Sequence, residues 1–535
     1  MTDQPVRALG TQISHQLKSR GVEVIFGIPG VHNQELYRGI EEAGLRHILA
    51  RHEQGAGFMA DGYARATGRP GVCYVISGPG LTNIMTPLGQ AYSDSVPLLV
   101  IASCLDPAAL GWGRGRLHEM KDQRAAAETV CDWAVQAADA GAAYHQIDRA
   151  LHEFATGRPR PKYLQVPISL LETQVPAAPP PRSTARFART GAGAGWDPAL
   201  LRQYRRPLVI LGGGARRATG VTALLQRLGA AVFETQAGRG IVAADYPLHF
   251  GSMLEQPDAA RVLAEADLVL AIGTELSELD LWRAHPGHVA PLVRVDIDPV
   301  MLTSADTDLG ILAEAGAFVD RLSADLGPDW AAATGWSAGD VAGKRKIWRG
   351  QVAADYPGLN RLCEALRHAL PPATMIYSDM TQLAYAALLL WPMDRPGHWH
   401  HPHGFGTLGY ALPAAIGGAI GRPGLPTIAI AGDYGFQFTV QELATAVELR
   451  LPLPVILWDN GKLGAIEASM VRAQIAPHAV IQQNPDFLAL ARAYGAAAVA
   501  PRSLQALAAH LQEALSADRP TVIHVTPDTI RGGVG

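Results

Sequence analysis

Asp433 and Asn460 are the residues whose types and spacing most plainly suggest chemistry. Asp433 follows the apolar run Ile428–Ala431 and one glycine, Gly432. Asn460 lies twenty-seven residues further on, just past a second apolar run, Val455–Leu457. If both runs are strands of a parallel sheet, the two residues stand at neighbouring carboxyl ends, where open α/β sheets bind ligands. Asp433 would supply a carboxylate, Asn460 an amide oxygen and Lys462 its backbone carbonyl. Three such oxygens, completed by phosphate oxygens and water, suit octahedral magnesium. A helix opening at Tyr434 and Gly435 would turn free N–H groups towards the phosphates. A Gly-Asp pair alone is better read as a helix cap, and the asparagine at this spacing reverses that preference.

A second set lies towards the N-terminus. Glu53 opens the segment Arg51-His52-Glu53-Gln54-Gly55-Ala56-Gly57-Phe58-Met59-Ala60-Asp61-Gly62-Tyr63-Ala64-Arg65, whose glycines and alanines favour close packing on another surface. A glutamate in a helix's first turn is also ordinary dipole pairing. His32 and His118 are imidazoles that could shuttle protons at physiological pH. The run His398, His400, His401, His403 has no cysteine or acid beside it and reads as a solvated loop.

These residues need a scaffold, and the composition supplies one. A chain of 535 residues divides into three or four domains at roughly 150 residues each. With 48% hydrophobic residues it can bury large cores, which excludes disorder over most of its length. A net charge of -4 gives no basic excess for nucleic acid. Apolar runs such as Val96–Leu105 stop short of the ~18 residues that cross a bilayer. The start reads as a polar lead into an amphipathic helix, not a secretory signal, and the four cysteines lack disulfide or metal spacing. The expected setting is cytoplasmic, with no nucleic acid or membrane partner.

Short apolar runs ending in glycine alternate with Ala/Leu-rich helical stretches, the pattern of parallel sheets covered on both faces. A proline-rich linker, 175–189, and a looser break over Trp330–Arg349, with Gly335, Gly339 and Gly343, divide the chain into 1–175, 195–328 and 355–535. The first and last pieces share one layout of strand, glycine turn, helix, proline and strand.

Together these motifs resemble the thiamine-diphosphate-dependent enzymes of the acetolactate synthase and 2-oxo acid decarboxylase superfamily. Gly432-Asp433 with Asn460 is similar to the Gly-Asp-Gly…Asn fingerprint. Tyr434 takes the third position, a departure that touches no metal ligand. The segment Arg51–Arg65 resembles the family's glutamate helix. Gly27-Ile28-Pro29-Gly30, Ser77-Gly78-Pro79-Gly80-Leu81-Thr82-Asn83 and the run Gly404–Ala415 resemble its turns and its pyrimidine-holding segment.

The resemblance implies an α/β fold of three doubly wound parallel-sheet domains: pyrimidine-binding, central Rossmann-like, and diphosphate-binding. It implies thiamine diphosphate and Mg2+ as cofactors, with Asp433, Asn460 and the Lys462 carbonyl on the metal. Gly432, Tyr434, Gly435, Leu463, Gly464 and Ala465 would line the cofactor with Pro29, and Thr381 and Gln382 would sit at the far phosphate. Glu53 would activate the aminopyrimidine, Gly406 would offer its carbonyl to the exocyclic amine, and Leu408 would be the wedge that bends the cofactor. The site would lie between subunits, implying a homodimer at least and a homotetramer by pairing of dimers. FAD is not expected: in Gly212-Gly213-Gly214, Arg217 replaces the third glycine of a dinucleotide loop.

Val31, His32, Ile76, His118, Ala465, Ile466 and Ser469 match positions of the substrate pocket. His118 stands where acetolactate synthases and benzaldehyde lyase carry Gln. Ile76 stands where benzoylformate decarboxylase carries His, and Ser469 where biosynthetic acetolactate synthases carry Trp. The wider, neutral wall implies decarboxylation of a medium-length 2-oxo acid to an aldehyde, through a thiazolium carbanion and an enamine, as in the 5-guanidino-2-oxopentanoate decarboxylase branch. The alternative is acetolactate synthase-like or benzaldehyde lyase-like carboligation. Glu255, Glu275, Glu278 and Asp280 are acids available to a cationic tail.

Overall fold

The computed structural model describes residues 5–110, 112–180, 198–303, 306–330, 332 and 334–532, so the linker residues 181–189 lie outside it. The chain groups into two compact units. One holds the described residues of 1–185, 374–381 and 401–535, the other those of 186–373 and 382–400. The first and last sequence pieces therefore share one unit, while 355–373 and 382–400 group with the central piece.

The first sheet is built from β1 (Val24–Gly27), β2 (Arg46–Leu49), β3 (Gly71–Val75), β4 (Leu98–Cys104), β5 (Trp133–Gln136) and β6 (Lys162–Pro167). Its order is β2-β1-β3-β4-β6-β5, and every pairing is parallel. Strands β3 and β4 are buried along their whole length, as continuous apolar runs require. Helix α1 (Glu53–Thr67) precedes β3 and helix α2 (Pro79–Asp94) follows it.

The second unit carries a parallel sheet of β7 (Pro207–Leu211), β8 (Ala231–Glu234), β9 (His249–Gly251), β10 (Leu268–Ile272), β11 (Leu292–Asp296) and β12 (Leu309–Leu312), in the order β9-β8-β7-β10-β11-β12. Its glycine run is explained by packing. A Cβ on Gly212 would lie 2.2 Å from the Gly273 carbonyl oxygen, and one on Gly214 2.9 Å from Gly273 Cα. The run forms a short 3₁₀ turn, Gly213–Ala215, and not the long helix of a dinucleotide loop. Within the stretch Trp330–Arg349, α3 (Ala338–Asp355) runs through Gly339 and Gly343. Ser337 caps it by accepting from Asp340 N–H, and buried Val341, Trp348 and Val352 hold one face, so packing overrides the glycines.

The last sheet contains β13 (Met375–Ser378), β14 (Thr427–Gly432), β15 (Pro454–Trp458), β16 (Ala497–Val499) and β17 (Thr521–Val525), in the order β13-β14-β15-β17-β16 and again parallel. Without β2, the first sheet has this same relative order. Within the shared unit, α1 crosses α4 (Ala411–Gly421) at glycines. A Cβ at Gly62 would lie 1.9 Å from the Ala414 carbonyl oxygen, and one at Gly417 1.8 Å from that of Met59. Tyr410 Oη donates to buried Asp61 at 2.7 Å, and Arg65 pairs with both Asp61 and Asp94. Among the described residues no helix is long and apolar enough to cross a membrane.

Candidate active site

Two groups of the sequence-expected residues assemble in the first unit. In the last sheet, β14 ends at Gly432 and Asp433 opens α5 (Asp433–Phe438). The helix that opens there is short, and a second, α6 (Glu442–Glu448), follows it. Thr439 breaks the run: its hydroxyl donates to the Gly409 carbonyl at 2.8 Å, drawing the chain towards the pyrimidine-holding segment.

The Asp433 carboxylate is buried and densely hydrogen-bonded. Its Oδ2 accepts from Asn484 Nδ2 at 2.7 Å, Gln482 Nε2 at 3.0 Å and Gly461 N–H at 3.1 Å. The last of these joins the two loops that the sequence spacing predicts to meet. Asn460 Oδ1 lies 3.3 Å from the Lys462 N–H, so the asparagine oxygen and the Lys462 backbone share one turn. Tyr434 N–H is held by Asp433 Oδ1 at 3.0 Å. Burial, with Asp459 nearby, raises the Asp433 pKa. Burial would raise Asp459 too, but His524 Nε2 at 2.8 Å and the Gly461 N–H more than reverse it.

Asp379 organises the space behind this turn. It is buried just past β13, and burial pushes its carboxyl up to about 6 although backbone N–H groups donate to it. Met380 N–H and Gly409 N–H donate to it at 2.8 and 2.9 Å, and a Cβ on Gly435 would come within 2.8 Å of its Oδ2. Gly432 likewise leaves 3.1 Å between its would-be Cβ and the Thr381 hydroxyl. Thr381, Gly432 and Gly435 thus converge; Gln382 opens the next helix and belongs to the second unit. Gly406 has a left-handed φ of 64°, Leu408 is half-buried, and Gly404 N–H donates to Asp94 of α2 at 2.9 Å. Leu463 N-caps α7 (Gly464–Arg472), on which Ala465, Ile466 and Ser469 are exposed.

The second group gathers at the carboxyl ends of β1, β3 and β4. Glu53 is the first residue of α1, buried, and its Oε2 accepts from Asn83 Nδ2 at 2.9 Å. Glu442 fixes the start of this helix from the other sheet: its carboxylate accepts from Arg51 N–H and His52 N–H at 3.0 and 2.9 Å. A Cβ at Gly55 would strike that carboxylate, which accounts for the glycine. Burial raises Glu442 to about 7.

His32 and His118 meet edge to face, ring centroids 5.0 Å apart, and Ser77 Oγ lies 3.0 Å from His32 Nδ1. Burial and the neighbouring His118 lower the His32 pKa. His118 holds a left-handed φ of 62°, and its buried Nδ1 has no hydrogen-bond partner. Ile76 packs on the turn: a Cβ at Gly30 would lie 2.2 Å from its Cδ1. Pro29 and Val31 are exposed. No hydrogen bond joins Glu53 to Asp433.

The reading of the histidine run as solvated is corrected. His401 is buried and its Nδ1 lies 2.9 Å from Ser378 Oγ, because the chain re-enters beside β13 there. Asp379, Glu442, Gln482, Asn484 and His524 were not singled out from sequence, since only the fold brings their distant segments together. Glu467 was also passed over. It is the acid in the first turn of α7, beside Ile466, and its Oε2 lies 2.5 Å from Lys462 Nζ.

The donor set at Asp433, Asn460 and the Lys462 backbone is all oxygen, which fits a hard divalent cation. Gly432 and Gly435 let the strand-end loops close on Thr381 and Asp379, which brings together the backbone N–H groups that a diphosphate would need.

Comparisons with known proteins bear on the family. Residues 7–126 match the N-terminal TPP binding domain of thiamine pyrophosphate enzymes, 199–322 their central domain, and 379–525 their C-terminal TPP binding domain. The chain is 42% identical to the probable 2-ketoarginine decarboxylase AruI of Pseudomonas aeruginosa, across 98% of this chain and 95% of that protein. It is 29% identical to the acetolactate synthase isozyme 2 large subunit of Escherichia coli, across 97% and 95%. It is 30% identical to an acetolactate synthase of Mycobacterium bovis, across 90% and 82%. With the fold and these matches in agreement, the chain belongs to the thiamine pyrophosphate enzymes.

Proposed function

We propose that this enzyme decarboxylates a medium-length 2-oxo acid to an aldehyde, using thiamine diphosphate and Mg2+. The observation that carries the reading is the joining of the Asp433 and Asn460 loops through Gly461. Similarity to a 2-ketoarginine decarboxylase over nearly the whole chain supports it. Asp433, Asn460 and the Lys462 carbonyl would hold the cation. Gly432, Tyr434, Gly435, Thr381, Gln382, Leu463, Gly464 and Ala465 would surround the diphosphate, and Pro29, Gly406 and Leu408 would face the rings. When bound, thiamine diphosphate supplies a carbon nucleophile for the keto group and an electron sink for loss of carbon dioxide.

The protein's own part is to position and protonate. Glu53, oriented by Asn83 and by the Glu442 cap on its helix, would share a proton with the aminopyrimidine nitrogen. Following the family resemblance, the reading takes the Glu53 cluster from one subunit and the Asp433 cluster from another, in a homodimer or a pair of dimers. His32 and His118 would face the 2-oxo acid with Val31, Ile76, Ala465, Ile466 and Ser469. Glu467 places a carboxylate on the same helical turn as Ile466, which suits a cationic tail. The domains would run over 1–175, 195–328 and 355–535, with no FAD in the central one, in a cytoplasmic protein.

The alternative, carboligation as in the acetolactate synthases, is favoured by those relatives. One assay separates the two. Pyruvate and a panel of longer oxo acids, including a 5-guanidino compound, are offered, and carbon dioxide, aldehyde and acetolactate are scored separately. Aldehyde from a longer acid is the expected result. Efficient acetolactate from pyruvate, with poor turnover of every longer acid, overturns the reading.

A further inference from the structure

The His32 ring rests on Ser77, which in turn meets Ser103, and the function above leaves both serines unused. Ser77 lies just past β3 and Ser103 within β4, and both are fully buried. Ser77 Oγ stands 3.0 Å from His32 Nδ1 and 3.0 Å from Ser103 Oγ, while the Ser77 N–H donates to Ser103 Oγ at 3.1 Å. Gln123 braces the two strand ends. Its amide donates to the Ser103 carbonyl at 2.9 Å, and its oxygen accepts from Gly78 N–H at 3.0 Å.

Hydrogen-bond accounting fixes the direction of this chain. Among the described residues, Ser77 Oγ is the only acceptor within reach of the Ser103 hydroxyl hydrogen. A buried hydroxyl hydrogen needs an acceptor, so Ser103 donates to Ser77. The Ser77 hydroxyl has one hydrogen of its own, which is then free to be given to His32 Nδ1. A ring nitrogen that accepts carries no proton, so the neutral imidazole holds its proton on Nε2. If Nδ1–H donated to Ser77 instead, the hydroxyl hydrogen of either Ser103 or Ser77 would be left without an acceptor in a buried chain.

We propose that Ser103 and Ser77 are positioning residues that hold His32 in its Nε2–H tautomer and so present it to the 2-oxo acid as a hydrogen-bond donor. The proposal rests on the place of His32 in the substrate pocket given above. Burial and the His118 ring both favour the neutral imidazole on which the argument depends. A neutral ring with Nε2–H can donate to a keto or carboxylate oxygen, whereas a bare Nε2 could only accept. His32 then meets the substrate as an acid and not as a base.

The test needs no cofactor. Apoprotein labelled with ¹⁵N-histidine, at a pH where the ring is neutral, reports through two-bond proton–nitrogen spectra which ring nitrogen is protonated. The signals of His32 are those lost in His32→Gln. The expected result is a single Nε2–H form in the wild type and a mixture in Ser77→Ala and Ser103→Ala. Ser103→Thr, which keeps the hydroxyl, should restore the single form. Protonation on Nδ1 in the wild type, or a wild-type mixture equal to that of Ser77→Ala, overturns the proposal. Should the serine variants fail to fold by circular dichroism, the wild-type spectrum decides alone. Unchanged oxo-acid turnover in His32→Gln would remove the catalytic role of His32 while leaving the tautomer result standing, so the two readings fail separately.

Discussion

The first and last sheets share a strand order yet offer different chemistry at the same three strand ends. Past β1 and β13 stand Pro29–His32 in one and Asp379–Thr381 in the other. Past β3 comes Ser77-Gly78 with Pro79 opening the helix, and at the end of β14 Gly432 with Asp433 opening it. Within β4 sits Ser103, and past β15 come Asp459 and Asn460. One set is built of hydroxyls and imidazoles around a glutamate, the other of carboxylates and amides. The scaffold makes strand ends converge, and a few residues at those ends set the chemistry on offer, which the proposed function reads as a cation site in one sheet and proton transfer in the other.

The sharpest way to break this contrast is Asp433→Ala. Magnesium-dependent cofactor binding should be lost, because the remaining oxygens cannot balance the diphosphate charge, and titration calorimetry with and without magnesium reads it. Full affinity at low cofactor concentration would mean that the last sheet is not the cation side. Glu53→Gln probes the other sheet. It should keep cofactor affinity but slow deuterium exchange at the thiazolium by about 10²–10⁴-fold. Equal exchange rates would strip the first sheet of its assigned chemistry.

The packing between the sheets has its own test. Gly62→Ala pushes a methyl into the Ala414 carbonyl at the α1–α4 crossing and should cost about 1–3 kcal/mol in denaturant unfolding, the range for overpacked sites. An unchanged midpoint would show that the helices can part freely.

The smallest expected effect concerns Glu442, which ties the last sheet to the helix bearing Glu53. Its carboxyl, raised from 4.5 to about 7 by burial, keeps its proton in the folded protein over a range where the unfolded chain has released it. Its contribution to stability is therefore complete below about pH 4.5 and is lost as pH rises towards 7. Glu442→Gln should flatten that fall in the denaturation midpoint. A slope identical to wild type would assign the pH dependence to other buried acids, such as Glu255, raised to about 7, and Asp379.

Local pattern was enough to expose the parallel strands, the family and the residues adjoining the strand ends. An apolar run followed by Gly-Asp, or an Arg-His-Glu helix start, carries its meaning within a few residues. α3 escaped because buried Val341, Trp348 and Val352 outweigh glycines that read locally as a break. The split of α5 from α6 escaped because the acceptor for Thr439 is a carbonyl thirty residues earlier in the chain.

The sequence by itself determined that the chain alternates strands and helices and that Asp433, Asn460 and Glu53 are chemically equipped. Only the tertiary structure decided that Asn484 and Gln482 converge on Asp433, that Glu442 caps the Glu53 helix, and that His32 rests on Ser77. The physical reason is range. Strand and turn preferences act between near neighbours, whereas a buried polar group needs a partner from whatever segment the fold brings within about 3 Å, and nothing in local spacing names that segment.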